Sequence, residues 1–184
     1  MNMVTYASMV RGINIGGKKV KMDRLKEIYR SLDFKNVKTY IQSGNVIFES
    51  KESDPTKLSR IIEKRITKIF EFDVKVFLRT KNEMEQVLSG NPFKQEDINH
   101  IYVTFLSDIP SEMLIKDLNR ITTVDMVNKS DRYIISKKEI YLFLPNGYGR
   151  TKLNNNFFEK KLDISATTRN WRTVNNIVDI ASNK

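Results

Sequence analysis

Runs of β-prone residues and apolar residues at helical spacing predict the order β-α-β-β-α-β over the first half of the chain. Val4–Val10 is a predicted strand, and apolar residues at helical spacing follow over residues 25–32. Two short β-prone runs, Val37–Ile41 and Asn45–Phe48, flank Gln42-Ser43-Gly44, which predicts a tight hairpin.

A second helix and a fourth strand complete this half. Asp54-Pro55 is typical of a helix start, and Val74–Leu78 is the next predicted strand. The order is that of the ferredoxin-like βαββαβ fold, in which helices cover one face of an antiparallel sheet. Thr80 and Glu83 have the spacing of a capping box, which predicts a connecting helix.

The second half predicts another α+β unit, so the fold class is α+β with helices packed on antiparallel sheets. Asn91-Pro92-Phe93 interrupts the pattern, and we expect a ferredoxin-like domain at 1–90 and a second α+β domain with C-terminal helices at 91–184. The predicted strands of this half are Ile101–Leu106, Ile121–Val127, Arg132–Ser136, Ile140–Leu144 and a short one near Ile164–Ala166. Helices are predicted after Pro110, around 153–158 and around 174–181.

Composition narrows the chemistry. The 184 residues contain no Cys, which excludes disulfides and thiolate metal sites, and His100 is the only histidine. We therefore predict no metal site and no cofactor, and we assign His100 no role. No apolar run is long enough for a membrane span, and the first residues lack a secretory signal pattern, so a cytoplasmic location and no membrane partner are expected.

The net charge of +10 is concentrated in two stretches. Residues 11–38 hold nine Lys/Arg against three Asp/Glu, and residues 145–172 hold six against two. Gly, Asn and Ser also cluster there, and turn-rich backbone beside positive charge suits an anion. A charged surface is also simply a soluble one, so the charge permits nucleic-acid binding without demonstrating it.

The first candidate cluster is the segment from Arg11 to Lys19. Gly12 is followed by four residues and then Gly17-Lys18, as in a phosphate-binding P-loop. The next residue is Lys19 where a P-loop has Ser or Thr, and the predicted hairpin does not fit the parallel strands of P-loop enzymes. The segment is either an anion-binding loop or a strand-to-helix turn that requires positive φ.

The second cluster is Gln42-Ser43-Gly44-Asn45. Such a segment is most often a hairpin turn. If the hairpin faces the first loop, its polar side chains become hydrogen-bonding partners for a ligand.

Two further clusters precede predicted helices in the second half. In the segment 147–152, Thr151 is a possible helix cap, and it would place free amides beside Arg150 and Lys152. In the segment 167–172, Trp171 could stack on a base or anchor the core.

These clusters together resemble a bacterial family of uncharacterised proteins, domain of unknown function 1697 (DUF1697). The matching segments are Val10–Gly17, Val20-Lys21-Met22, Thr39–Val46, Asn91-Pro92-Phe93, Gly149–Leu153 and Ala166–Trp171. The resemblance covers nearly the whole chain and implies an α+β protein built from ferredoxin-like halves. It implies no activity, substrate or catalytic residue.

Our hypothesis is a module that binds the phosphate of a nucleic acid or a nucleotide. The predicted ligand-binding residues are Arg11, Gly12, Asn14, Gly16, Gly17, Lys18, Gln42, Ser43, Asn45, Arg150, Lys152, Arg169, Asn170 and Trp171, and Lys19 adds charge. One alternative is an enzyme acting on a phosphorylated or carboxylated metabolite with Asp, Glu, Lys or Tyr as its acid-base groups. Another is an interaction protein that binds no ligand. Catalytic residues and oligomeric state are not predicted.

Overall fold

The computed structural model describes residues 3–14, 19–125 and 130–183, and for residues 121–125 it describes the backbone alone. The described chain forms two compact units. Unit 1 comprises the residues up to Ser89 together with those from Asn175 onward, and unit 2 is Gly90–Val174. The predicted domain limits, 1–90 and 91–184, stay a prediction.

Unit 1 contains one antiparallel four-stranded sheet. Its elements are β1 (Val4–Arg11), α1 (Met22–Arg30), β2 (Lys35–Tyr40), β3 (Asn45–Ser50), α2 (Pro55–Phe70), β4 (Lys75–Thr80) and α3 (Lys81–Ser89). The strand order is β2-β3-β1-β4, and every pairing is antiparallel. This order and these connections are those of the ferredoxin-like βαββαβ arrangement, as the sequence predicts.

Alternation along the strands decides which side chains form the core of unit 1. Even-numbered residues such as Tyr6 and Val10 of β1 and Phe48 of β3 meet the apolar stripes of α1 and α2. The stripe of α2 consists of Leu58, Ile62 and Ile66, all buried. The helices therefore cover one face of the sheet.

Two helix starts of unit 1 have side-chain caps that the sequence predicts. The Asp54 carboxylate accepts hydrogen bonds from the amides of Thr56 and Lys57, and Pro55 is the first residue of α2. At α3 the Thr80 amide donates to Glu83 Oε2 at 2.7 Å, and the Glu83 amide donates to Thr80 Oγ1 at 3.2 Å. The capping box is confirmed.

Unit 2 has the same strand order and the same connections as unit 1. Its elements are β5 (Ile101–Leu106), α4 (Glu112–Asp125), β6 (Arg132–Ser136), β7 (Glu139–Phe143), α5 (Asn155–Leu162) and β8 (Ala166–Asn170). The sheet order is β6-β7-β5-β8, again antiparallel throughout. Unit 2 is thus a second βαββαβ arrangement, and the α+β fold class is confirmed.

The final helix, α6 (Trp171–Ser182), follows β8 directly. Its first residues are assigned to unit 2, and its turns from Asn175 onward are assigned to unit 1. At the end of the described chain, Lys38 Nζ donates to the Asn183 carbonyl at 2.8 Å, within unit 1.

Two predicted elements of unit 2 are wrong. The predicted strand Ile121–Val127 lies in α4 as far as Asp125, and its last two residues lie outside the described residues. β-branched residues lower helix propensity by only a few tenths of a kcal/mol, and the packing of Leu118 and Leu114 in the core outweighs that cost.

The last strand lies further along than predicted, at Ala166–Asn170. The sequence pattern does not predict this strand, because its threonines do not alternate with apolar residues. They pair with β5 instead, where the hydroxyls of Thr104 and Thr168 lie 2.7 Å apart.

Among the described residues, no helix combines the length and the apolar character that crossing a membrane requires.

Candidate anion-binding site

Four segments of unit 1 meet at one end of its sheet. The C-terminal end of β1 lies beside the starts of β3 and β4, because both of those strands run antiparallel to β1. Met9 is paired with Asn45, which is paired in turn with Tyr40 at the end of β2. Arg11 is opposite Lys75. This end of the sheet, which we call the rim, therefore brings the first two predicted clusters together.

The segment between β1 and α1, which we call the β1–α1 loop, is described at residues 12–14 and 19–21, and it leaves the rim through backbone of positive φ. Gly12 has φ +89° and Asn14 has φ +55°. A Cβ at Gly12 would meet only the Asp73 carbonyl, at an ordinary 3.7 Å, so the backbone conformation rather than space requires glycine there. Asparagine is one of the few other residues that tolerate this region.

The Asn14 side chain fixes this loop in two directions. Its Nδ2 donates to the Gln42 carbonyl at 2.7 Å, and its Oδ1 accepts from the Val20 amide at 2.8 Å. The loop is thereby held to the β2–β3 hairpin loop, residues 41–44, and to the segment that begins α1. The hairpin faces the described start of the β1–α1 loop, as the ligand-binding interpretation of the second cluster requires.

Packing reinforces the same junction. Ile13 is buried and lies against Gly44, whose carbonyl accepts a hydrogen bond from the Val10 amide at 2.9 Å. The start of the β1–α1 loop therefore packs directly on the hairpin loop.

Asn45 is fully buried, and its amide group is used inside the hairpin. Asn45 Nδ2 donates to Ser43 Oγ at 2.8 Å and to the Tyr40 carbonyl at 3.3 Å. The side chains of Asn45 and Ser43 therefore stabilise the conformation of the hairpin loop. The Gln42 side chain, in contrast, is exposed.

Several basic residues lie at or next to the rim. Lys19 and Lys21 are exposed and form no ion pair with any described residue. Lys21 is also the N-cap residue of α1, and its side chain makes no capping hydrogen bond. Helix starts without such a cap leave amide donors for water or for an anion. Arg11 is half-buried in the sheet.

Three predicted ligand-binding residues, Gly16, Gly17 and Lys18, lie outside the described residues.

The predicted cap at Thr151 is wrong. The segment Tyr148–Arg150 is a short 3₁₀ turn, and α5 begins only at Asn155 with Asn154 as its N-cap. Asn154 Oδ1 accepts the Phe157 amide at 3.0 Å. Asparagine is as good a cap as threonine, and it lies three positions further on. Arg150 and Lys152 are exposed in the preceding loop.

Thr151 has a different role, because it binds a buried carboxylate. Its hydroxyl donates to Asp131 Oδ2 at 2.7 Å and accepts the Leu153 amide at 3.0 Å. The other oxygen, Asp131 Oδ1, is buried and has no hydrogen-bond partner among the described residues. The sequence gives no signal for this residue, which stands alone in a predicted turn.

The last three predicted residues lie where β8 runs into α6. Arg169 Nη1 donates to Thr167 Oγ1 and to the Thr168 carbonyl, both at 2.9 Å. Burial lowers the pKa of Arg169 to about 10, which still leaves the guanidinium charged at neutral pH. Asn170 caps α6 by accepting the Thr173 amide at 2.8 Å, and half-buried Trp171 is the first helical residue.

One further residue at the rim escapes sequence reasoning. Ile41 has φ +48° and is 49% exposed. A strained φ leaves no mark in the sequence, because Ile41 fits the end of a predicted strand.

No group of three or more His, Asp or Glu side chains that could hold a metal ion occurs within the described ranges.

Comparison with known proteins places the chain in context. A family model described as "Protein of unknown function (DUF1697)" matches residues 3–141. A solved structure, the conserved bacterial protein SP0830 from Streptococcus pneumoniae, is 26% identical with a TM-score of 0.72. The match covers 98% of this chain and all of that one.

A second solved structure, an unknown protein from Galdieria sulphuraria, is 8% identical with a TM-score of 0.29, over 98% of this chain and 91% of that one. Similarity at that level carries no argument. No curated protein matches. The family model spans most of the chain, and the protein therefore belongs to the DUF1697 family of proteins of unknown function.

Proposed function

We propose that this protein binds the phosphate group of a nucleotide or a nucleic acid at the rim of unit 1. The observation that supports the proposal is the junction of the two loops through Asn14 and Gln42. It joins two polar, glycine-containing segments that lie 28 positions apart in sequence. Backbone amides of such loops can approach an anion closely, because glycine carries no side chain.

The charges at the rim favour the same ligand. Lys19 and Lys21 have no ion-pair partner among the described residues and project into solvent. Arg11 and Lys75 occupy paired positions of β1 and β4, so two further basic residues lie at the rim.

The test uses a matched pair of double variants. Binding of adenosine monophosphate is measured by calorimetry, and binding of a labelled single-stranded oligonucleotide is measured by anisotropy. We expect Lys19→Ala/Lys21→Ala to weaken both affinities about tenfold, because two phosphate contacts are lost. Lys35→Ala/Lys51→Ala removes the same charge from exposed residues at the opposite end of the sheet and should have little effect.

Salt dependence identifies the kind of ligand. The affinity for the oligonucleotide should fall steeply as salt rises, since counterions are released from its backbone. If neither adenosine monophosphate nor the oligonucleotide binds, the proposal is overturned. An equal loss in both double variants would also overturn it, because it would show attraction by net charge without a site.

A further inference from the structure

Ile41 is the one described residue of the rim that combines backbone strain with an exposed apolar side chain. Its φ of +48° lies in the left-handed region, which β-branched residues rarely adopt. Its side chain is 49% exposed, so burial in the core does not compensate for that conformation. Such outliers persist where the surroundings impose them and are concentrated at binding sites.

The surroundings do impose it. The carbonyl of the preceding residue, Tyr40, accepts the Asn45 side chain, and the carbonyl of the following residue, Gln42, accepts the Asn14 side chain. The backbone on both sides of Ile41 is therefore fixed by polar contacts. Its side chain remains exposed next to the residue, Gln42, that Asn14 of the β1–α1 loop contacts.

The neighbouring side chain adds a hydrogen-bonding group. Gln42 is exposed, and its side-chain amide makes no hydrogen bond with the described part of the chain. An amide side chain can pair in two-point fashion with the edge of a base. The hairpin loop thus presents an apolar surface and an amide next to each other.

We infer that the hairpin loop binds an unstacked nucleobase, with Ile41 against the face of the base and Gln42 at its edge. This inference rests on the function proposed above and goes beyond it, because it assigns the base as well as the phosphate. A base inside a double helix offers no free face. The ligand is then a free nucleotide or a single strand rather than a duplex.

The experiment compares probes with and without a base. Ile41→Gly and Ile41→Asn both suit a positive φ, so each should fold at least as stably as the parent protein. We expect each to weaken binding of adenosine monophosphate and of a single strand about fivefold to tenfold, and to leave binding of inorganic phosphate unchanged. Gln42→Ala should act in the same direction. Ile109→Asn removes an isoleucine of unit 2 that is 60% exposed, and it is the control.

Four results decide the matter. The inference is supported if the Ile41 variants bind adenosine monophosphate and the single strand more weakly and bind inorganic phosphate as before. It is overturned if the parent protein binds a duplex as tightly as a single strand. Unchanged nucleotide affinity in both Ile41 variants also overturns it, although the proposed phosphate site stands if Lys19→Ala/Lys21→Ala still weakens binding. Absence of any binding to the parent protein overturns both.

Discussion

A Cβ at position 44 would lie 2.5 Å from the Cδ1 atom of Ile13 and 3.1 Å from the Val10 carbonyl oxygen. Ile13 thus occupies the space that any side chain at Gly44 would need. The close approach of the β1–α1 loop to the hairpin loop depends on this glycine, whose φ is +74°.

Replacing Gly44 with alanine should therefore cost both packing and conformational energy. We expect Gly44→Ala to lower the free energy of unfolding by about 2–3 kcal/mol, measured by urea denaturation. Gly147→Ala is the matched control, since its φ is +79° but its Cβ would meet nothing within 4 Å. The control should lose only about 1 kcal/mol. Equal losses would show that Ile13 moves aside freely.

Asn14 should control the order of the β1–α1 loop. Asn14→Ala removes the hydrogen bonds to Gln42 and Val20, and we expect it to cost about 1 kcal/mol. Amide hydrogen exchange at Val20 should become faster, and nucleotide affinity should fall with it. Glycine adopts the same φ without strain but cannot bridge, so Asn14→Gly should speed exchange at Val20 as the alanine variant does and should cost less stability. Unchanged exchange at Val20 would contradict this account.

Asp131 and Thr151 form a buried pair whose two members should respond differently. Thr151→Val removes the only described donor to the carboxylate and should lower the free energy of unfolding by about 1–3 kcal/mol. Asp131→Asn keeps an acceptor for the Thr151 hydroxyl and removes a buried charge, so it should change stability by less than about 1 kcal/mol. A larger loss in Asp131→Asn than in Thr151→Val would contradict the assignment.

Stability should fall as the pH rises above 10. Burial raises the pKa of Tyr141 to about 12, and burial raises the pKa of Tyr29 still further. The unfolded chain loses these protons near pH 10 while the native chain keeps them, so unfolding becomes more favourable with rising pH. Denaturation curves across this range measure the slope.

Tyr29→Phe tests the origin of that slope. The Tyr29 hydroxyl lies 2.6 Å from the buried Ser8 Oγ, so the variant should already be less stable at neutral pH. Its stability should nevertheless fall less steeply above pH 10, because one group with a raised pKa is gone. A slope equal to that of the parent protein would contradict this assignment.

Local signals predict most of the fold. The strands of unit 1 are short β-prone runs, and Asp54-Pro55 and the Thr80–Glu83 box are caps whose chemistry is contained within four residues. The end of α4 is wrongly predicted as a strand. Leu118 packs in the core of unit 2, and this packing outweighs the weak β preference of the last turn of the helix.

The candidate site could be predicted only in part for a related reason. Glycine and asparagine indicate positive φ at Gly12 and Asn14, but the bond from Asn14 to Gln42 joins distant segments. Sequence therefore suggests each loop and not their junction. Asp131 is notable because it is buried, and Ile41 because its backbone is strained. Neither property can be predicted from the residue and its neighbours in sequence.

The helix that closes the chain has a consequence for any attempt to express the halves separately. A fragment that ends at Ser89 would lack the last turns of α6. It would also lack the Asn183 carbonyl, which accepts a hydrogen bond from Lys38 Nζ. The missing piece would be carried by the other fragment. Co-expressed fragments would have to reassociate before the first half is whole, so fragment complementation is expected to rescue what neither piece achieves by itself.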